Sequence, residues 1–268
     1  MSSLDSFFGS IQLPAISEVA HELIRTMNRE SVTVREVRDI IARDPALTAQ
    51  LLRIANSAQF GLPRGVSSLD EAIAIVGMAR VRALSLTACM AGSFPTMPGL
   101  DKRSFWQYSM ACAGYAQWMA VRLDIDGQVA WLTGMMLRLG ELLIAQAEPK
   151  ALAAIEKRPC TPGERWTREK QLVGFSEGQI TAEMARRWNF PMLIVQALQR
   201  ASDPILEHAY SRLGAITHLA GLLADTPNAG PEALDNLPVE VIDSLQLDLD
   251  WMDATFPGKE ILLDVAVV

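Results

Sequence analysis

Residues 127–146 read GQVAWLTGMMLRLGELLIAQ, and their only charges are Arg138 and Glu141, near the middle. A helix that is apolar on every side has no face to turn to water and is buried. Buried charges are costly unless paired. Arg138 and Glu141 stand three residues apart, a spacing that brings them to one helical face. Gly134 and Gly140 each weaken a helix by about 1 kcal/mol relative to alanine. Their presence points to close approach by a neighbouring element. The expectation is one core helix from Gly127 to Gln146, with two central charges that either pair structurally or do chemistry.

On both sides of this stretch apolar residues recur at helical spacing, and strand signals are almost absent. The fold class expected is all-α, a two-lobed helical bundle of about twelve helices. Pro14 opens a first helix, AISEVAHELIRTMN, with Ile16, Val19, Ala20, Leu23, Ile24 and Met27 on one face. Residues 1–12 are expected to be loosely held. Thr33 to Glu36 and Ser68 to Glu71 form capping boxes. Asp44-Pro45 supplies a cap and a residue suited to the first helical position. Gly77 closes a helix, and another runs from Met78 to Ala91. These five helices make an N-terminal lobe over residues 13–92.

A linker rich in Gly, Pro and Ser follows, over residues 92–100. A second lobe spans residues 100–205. It starts with a long helix, Ser104 to Leu123, whose Ala111, Ala113, Gly114 and Ala116 favour close packing. Ser176, with Gln179 as its box partner, caps a later helix. A C-terminal extension covers residues 206–268. Its helices are expected from Ile205 to Ala224 and around Val239–Leu245 and Leu249–Thr255. For KEILLDVAVV, within the tail 257–268, a docked arm and a short strand both remain open.

Half of the 268 residues are hydrophobic, enough for a sizeable core, and the net charge is −7. An acidic chain lacks the basic face that wide nucleic-acid binding needs, and an anionic membrane surface is equally disfavoured. Of the three cysteines, Cys89 and Cys112 read as small core residues; no CxxC occurs. A reducing, cytoplasmic setting is expected. The N-terminus has no basic region of the signal-peptide kind. The apolar run Ala83 to Leu100 is interrupted by Gly92, Pro95, Pro98 and Gly99, so no membrane span is expected.

Several stretches together resemble the HDOD family, the non-catalytic relatives of HD-type metal phosphohydrolases. They are LPAISEVAHELI, IIARDPALTAQLLRIANSAQFGLPRGVSSLDEAIAIVGMARVRAL, FWQYSMACA, TGMMLRLGELLI and, more weakly, QLVGFSEGQITAEMARRWNFP. The resemblance runs from about Leu13 to Pro204. It implies a degenerate HD-like second lobe. Where HD enzymes read GLLHDIGKLLL, with a metal-holding His-Asp pair, this chain has Leu137 and Arg138. The other ligand positions the resemblance implies fall on Tyr108, Glu177, Ala201 and Ser202. Leu137 cannot bind a metal and Arg138 would repel one.

The residues alone agree that catalysis is not expected. A metal phosphohydrolase needs converging His, Asp or Glu side chains, and the chain has only three histidines, His21, His208 and His218. No HExxH, P-loop or GxSxG occurs. No catalytic residue, metal or cofactor is therefore expected. Arg138 and Glu141 read as a structural ion pair or as the lining of a vestigial cleft that takes an anionic ligand. Asn56 and Ser57 read as a helix end or as part of a partner surface. Arg186-Arg187-Trp188 reads as a helix end with a core tryptophan.

By resemblance, the chain is a non-catalytic signal-transduction module acting through protein–protein interaction, linked to cyclic-dinucleotide signalling. Its partners would be other signalling proteins, with a homodimer also open. The alternatives are a nucleotide sensor that uses the vestigial cleft and, less favoured, a residual metal-dependent phosphohydrolase.

Overall fold

A computed structural model describes residues 3–57, 65–95, 97, 99–157, 160–205, 210–258 and 262. Among them are sixteen α-helices, one 3-10 helix and no strand, so the chain is all-α. The chain divides into two compact units. One comprises residues 14–95 and 188–191. The other comprises 1–13, 96–187 and 192–263.

The first unit holds α2 (Glu18–Met27), α3 (Val34–Ile41), α4 (Pro45–Ala55), α5 (Leu69–Val76) and α6 (Met78–Ser93). Local chemistry sets their starts. Thr33, Asp44 and Ser68 each accept a backbone N–H as N-caps, as their spacing predicts. The first helix begins at Glu18 rather than Pro14, because Ser17 caps it by accepting the Ala20 N–H. Gly77, at φ +88°, joins α5 to α6.

Asn56 ends α4, and its side chain clasps the returning strand of chain. Its Nδ2 donates to Leu52 O and Val66 O, and its Oδ1 accepts from the Val66 N–H at 2.6 Å. Ser57 completes the helix end through its N–H to Ile54 O. Trp188 is buried, its ring edge-on to Phe94, as a core tryptophan. Cys89 is only half-buried, beside Ser17 Oγ, because it lies on the open side of α6.

The second unit is built on α7 (Lys102–Arg122). Against it lie α8 (Gly127–Met136) and α14 (Arg212–Asp225). Around these stand α9 (Leu139–Ala147), α10 (Pro149–Glu156), α11 (Glu164–Leu172), α12 (Glu177–Arg187) and α13 (Met192–Arg200), then α15 (Val239–Leu245) and α16 (Leu249–Ala254). Met110, Met119, Met135, Met136 and Met184 and the thiol Cys112 are core residues here. Residues 4–9 are not loose: α1 (Leu4–Gly9) buries Phe7 and Phe8, with the Arg187 guanidinium 4.5 Å from the Phe8 ring. The helix expected from Ile205 begins at Arg212 instead, where Ser211 caps it. His208 and most of the tail 257–268 lie outside the described residues. No single helix among the described residues is long and apolar enough to cross a membrane.

The one core helix expected over 127–146 is in fact two, α8 and α9, joined at Leu137-Arg138. Arg138 adopts ψ near 0°, and the Leu137 and Glu141 N–H groups bond three residues back, to Gly134 O and Arg138 O. The cause is tertiary. Thr181 of α12 inserts its hydroxyl, which accepts the Gly140 N–H at 2.7 Å and lies 3.1 Å from the Leu137 carbonyl. A side-chain hydroxyl thus replaces helical bonds, as at other kinks.

The glycines allow this approach. A Cβ on Gly140 would run into the Glu177 carbonyl, and one on Gly134 would stand 2.7 Å from Cys112 O. Gly140→Ala is expected to force α9 and α12 apart and to lower stability by about 3 kcal/mol, read by urea unfolding. Gly92→Ala, at a helical position with open space around it, is expected to change stability by less than about 1 kcal/mol.

Candidate functional site

The kink delivers Arg138 into the interior, where it is 9% exposed. Its Nη2 donates to Asp225 Oδ1 of α14 at 2.7 Å, and its Nε to Glu177 Oε2 of α12 at 3.3 Å. The guanidinium carbon lies 3.1 Å from the Tyr108 ring centroid on α7, a cation–π contact. The pair with Glu141 that the spacing suggests is the longest of its ion contacts, at 3.8 Å.

Glu141 turns instead to a second buried arginine, Arg165 of α11, with Oε1 3.1 Å from Nη2. Arg165 also donates through Nε to Glu169 at 3.0 Å, approaches Glu177 Oε2 at 3.4 Å and reaches Glu156. Trp166 Nε1 donates to the other Glu177 oxygen at 3.0 Å, and the Glu177 N–H donates to Glu169 Oε2. Two arginines and the buried carboxylates Glu141, Glu169 and Glu177, with Asp225, therefore form one network across α9, α11, α12 and α14.

The remaining positions that the resemblance marks as former ligands lie in the same unit, mostly as packing. Leu137 is wholly buried, its Cδ atoms 3.2 and 3.1 Å from where Cβ atoms of Gly178 and Gly221 would stand. Ala201 offers its carbonyl to His218 Nδ1 at 2.7 Å, and Ser202 Oγ accepts from Ser176 Oγ at 3.1 Å. Asn56 and Ser57 are not part of this network; they belong to the other unit.

No sequence motif singles out Arg165, Glu169 or Trp166 as members of such a network. Helix α11, ERWTREKQL, reads as a polar surface helix, with Trp166 its one sign of burial. Asp225 carried a signal. An aspartate in the last turn of a helix opposes the helix dipole, and Arg138 offsets it.

Electrostatics follow from this crowding. Four largely buried carboxylates, with the half-exposed Glu156, face two guanidiniums, and burial outweighs attraction for some of them. Burial pushes Glu141 up to about 7, against the pull of Arg165 and Arg138. Burial, reinforced by the neighbouring Glu177 carboxylate, holds Glu169 well above the usual carboxylate range. Burial also pushes the Tyr108 phenol well up.

A divalent ion does not fit this arrangement. Leu137, Ala201 and Ser202 stand where the resemblance implies donors, and the carboxylates are turned to guanidiniums. Among the described residues, no group of three or more His, Cys, Asp or Glu side chains is placed to hold a metal.

The Glu141 shift has a sign that can be measured. Folded Glu141 binds its proton more tightly than in the unfolded chain. Its contribution is present at low pH and is lost as pH rises from the ordinary carboxylate range through about 7. Over that window the loss is about 3 kcal/mol. Urea unfolding from pH 4.5 to 8 is expected to show this decline, and Glu141→Gln to remove that part of the slope.

Comparison with known proteins places this geometry. The chain is 26% identical to a presumed phosphohydrolase from Shewanella amazonensis SB2B, with a TM-score of 0.77 over 96% of this chain and 95% of that one. An HDOD domain protein of unknown function from Geobacter sulfurreducens shares the fold at 20% identity and a TM-score of 0.80, over 98% and 95%. A presumed signal transduction protein from Marinobacter aquaeolei VT8 shares it at 20% identity and a TM-score of 0.77, over 98% of this chain and 62% of that one.

A curated relative, an uncharacterized protein of Treponema pallidum, is 24% identical over 192 residues. That alignment takes 70% of this chain but only 37% of the relative's length. The family model described as HDOD domain matches residues 13–204. With well over half of its length matched and the fold shared throughout, the chain belongs to the HDOD domain family.

Proposed function

We propose that the chain is a non-catalytic signal-transduction module that acts by binding other signalling proteins, with cyclic-dinucleotide turnover as the output such a partner carries. One observation supports the absence of catalysis above the others. Glu177, at a position where the resemblance implies a ligand, and Asp225 are both paired with an internal guanidinium, Arg138. A metal-activated water needs an open coordination position on a bound ion. Arg138 stands at a position where the resemblance implies a metal ligand, and a guanidinium cannot serve as one.

The same pairing bears on the nucleotide-sensor alternative. Arg138 would have to leave two carboxylates to receive an anion, a costly exchange in a buried site. The net charge of −7 supports protein partners over nucleic acid.

The test has two arms on the purified chain. Cyclic dinucleotide and a generic phosphodiester, incubated with Mn2+ or Mg2+, are expected to turn over no faster than in buffer. Affinity capture from the source cells, followed by reconstitution with the captured protein, is expected to yield a stoichiometric complex with a signalling protein. Metal-dependent hydrolysis that copurifies with the chain would overturn the proposal.

A further inference from the structure

The first structural unit contains a cavity of about 400 Å3 whose lining lies wholly within residues 14–95. It opens between the residues that lead into α2, the first turns of α4 and the last turns of α6. Pockets of about 300–1,000 Å3 are of the size that takes small molecules. We infer that this cavity binds a small organic ammonium ion, with Asp44 as the counter-charge for its cationic head and Ile16 and Leu47 as the bed for its apolar body. None of the lining residues belongs to the Arg138 network, so the site is separate from the HD-like one.

Charge selects the sign of the ligand. Asp44 is the one charged residue among those lining the cavity. Its Oδ1 accepts the Ala46 and Leu47 N–H groups, both at 3.0 Å. The donors that a helix N-terminus offers an anion are thus taken at the start of α4, and Asp44 Oδ2 remains for a ligand. Burial holds the Cys89 thiol above its ordinary value, so it stays uncharged and does not compete with Asp44.

The hydroxyls of the lining present acceptors. Ser93 gives its hydrogen to Cys89 O at 2.8 Å, and Ser17 gives its own to Cys89 Sγ at 3.6 Å. Each oxygen therefore meets a ligand with lone pairs rather than with a hydrogen. Gln50 adds an amide, which has an acceptor oxygen as well as donors. An ammonium group has three N–H donors and no acceptor, the complement of this lining. Ile16 and Leu47 are its buried apolar residues. At Gly92 an added Cβ would meet nothing within 4 Å, so the space beside α6 is open.

The experiment titrates the purified chain with n-butylammonium, cyclohexylammonium and phenethylammonium chloride at neutral pH and constant ionic strength, each beside its neutral alcohol, and reads binding by ligand-detected NMR. At least one ammonium probe is expected to bind with a Kd below about 5 mM. Its alcohol is expected to bind about fivefold more weakly or worse. Asp44→Asn keeps an N-cap of equal rank and removes the charge, and is expected to weaken the same probe by about fivefold or more. Gly92→Leu puts a side chain into the open space and is expected to weaken it at least as much. The inference is overturned if no ammonium probe reaches that Kd, or if the alcohol or either variant falls short of the fivefold loss. Should Asp44→Asn fail to fold, the alcohol and Gly92→Leu decide the matter.

Discussion

The second structural unit depends on one buried side chain having somewhere to put its charge. Arg138 sits on the Tyr108 ring and reaches Glu177 and Asp225, so a single guanidinium ties α7, α12 and α14 to the kink between α8 and α9. A charge this buried would be strongly destabilising without its partners. Asp225, whose ion pair is with Arg138, would be similarly unsupported without the guanidinium. The kink belongs to the same constraint. Thr181 and Gly140 set the turn that aims Arg138 inward, and Gly140 has no side chain because Glu177's backbone passes against it.

Much of the fold was legible in the sequence because its signals are local. Thr33, Asp44, Ser68 and Ser176 cap helices through bonds to backbone two or three residues away, and such spacing is readable without knowing the fold. The apolar stretch at 127–146 was correctly read as buried. Its break was not legible, because the hydroxyl responsible lies about 40 positions downstream on another helix. The same holds for the site. Arg138 and Glu141 look like a pair at spacing three, yet each finds its better partner on a helix distant in sequence, Asp225 for one and Arg165 for the other. The first helix and α1 went astray for a different reason: Ser17 and Phe7-Phe8 act through a cap and a small apolar contact too short to register as periodicity.

The positions where the resemblance implies metal ligands share a theme. Leu137 packs toward Gly178 and Gly221, Tyr108 becomes a platform for a cation, and Glu177 changes from a position where a histidine is expected into the carboxylate that holds Arg138 and Trp166. At these positions the structure shows packing and internal ion pairing within a helical frame shared with the family.

The central claim is that Arg138 and its carboxylates stand or fall together. A double-mutant cycle over Arg138→Leu and Asp225→Asn, measured by urea unfolding at pH 7, tests it most directly. Each single change is expected to cost about 3 kcal/mol or more, by leaving a buried charge without its counter-charge. The double variant is expected to cost at least about 2 kcal/mol less than the sum. Strictly additive losses would contradict the account, because they would mean that the guanidinium and the carboxylate are held in place independently of each other.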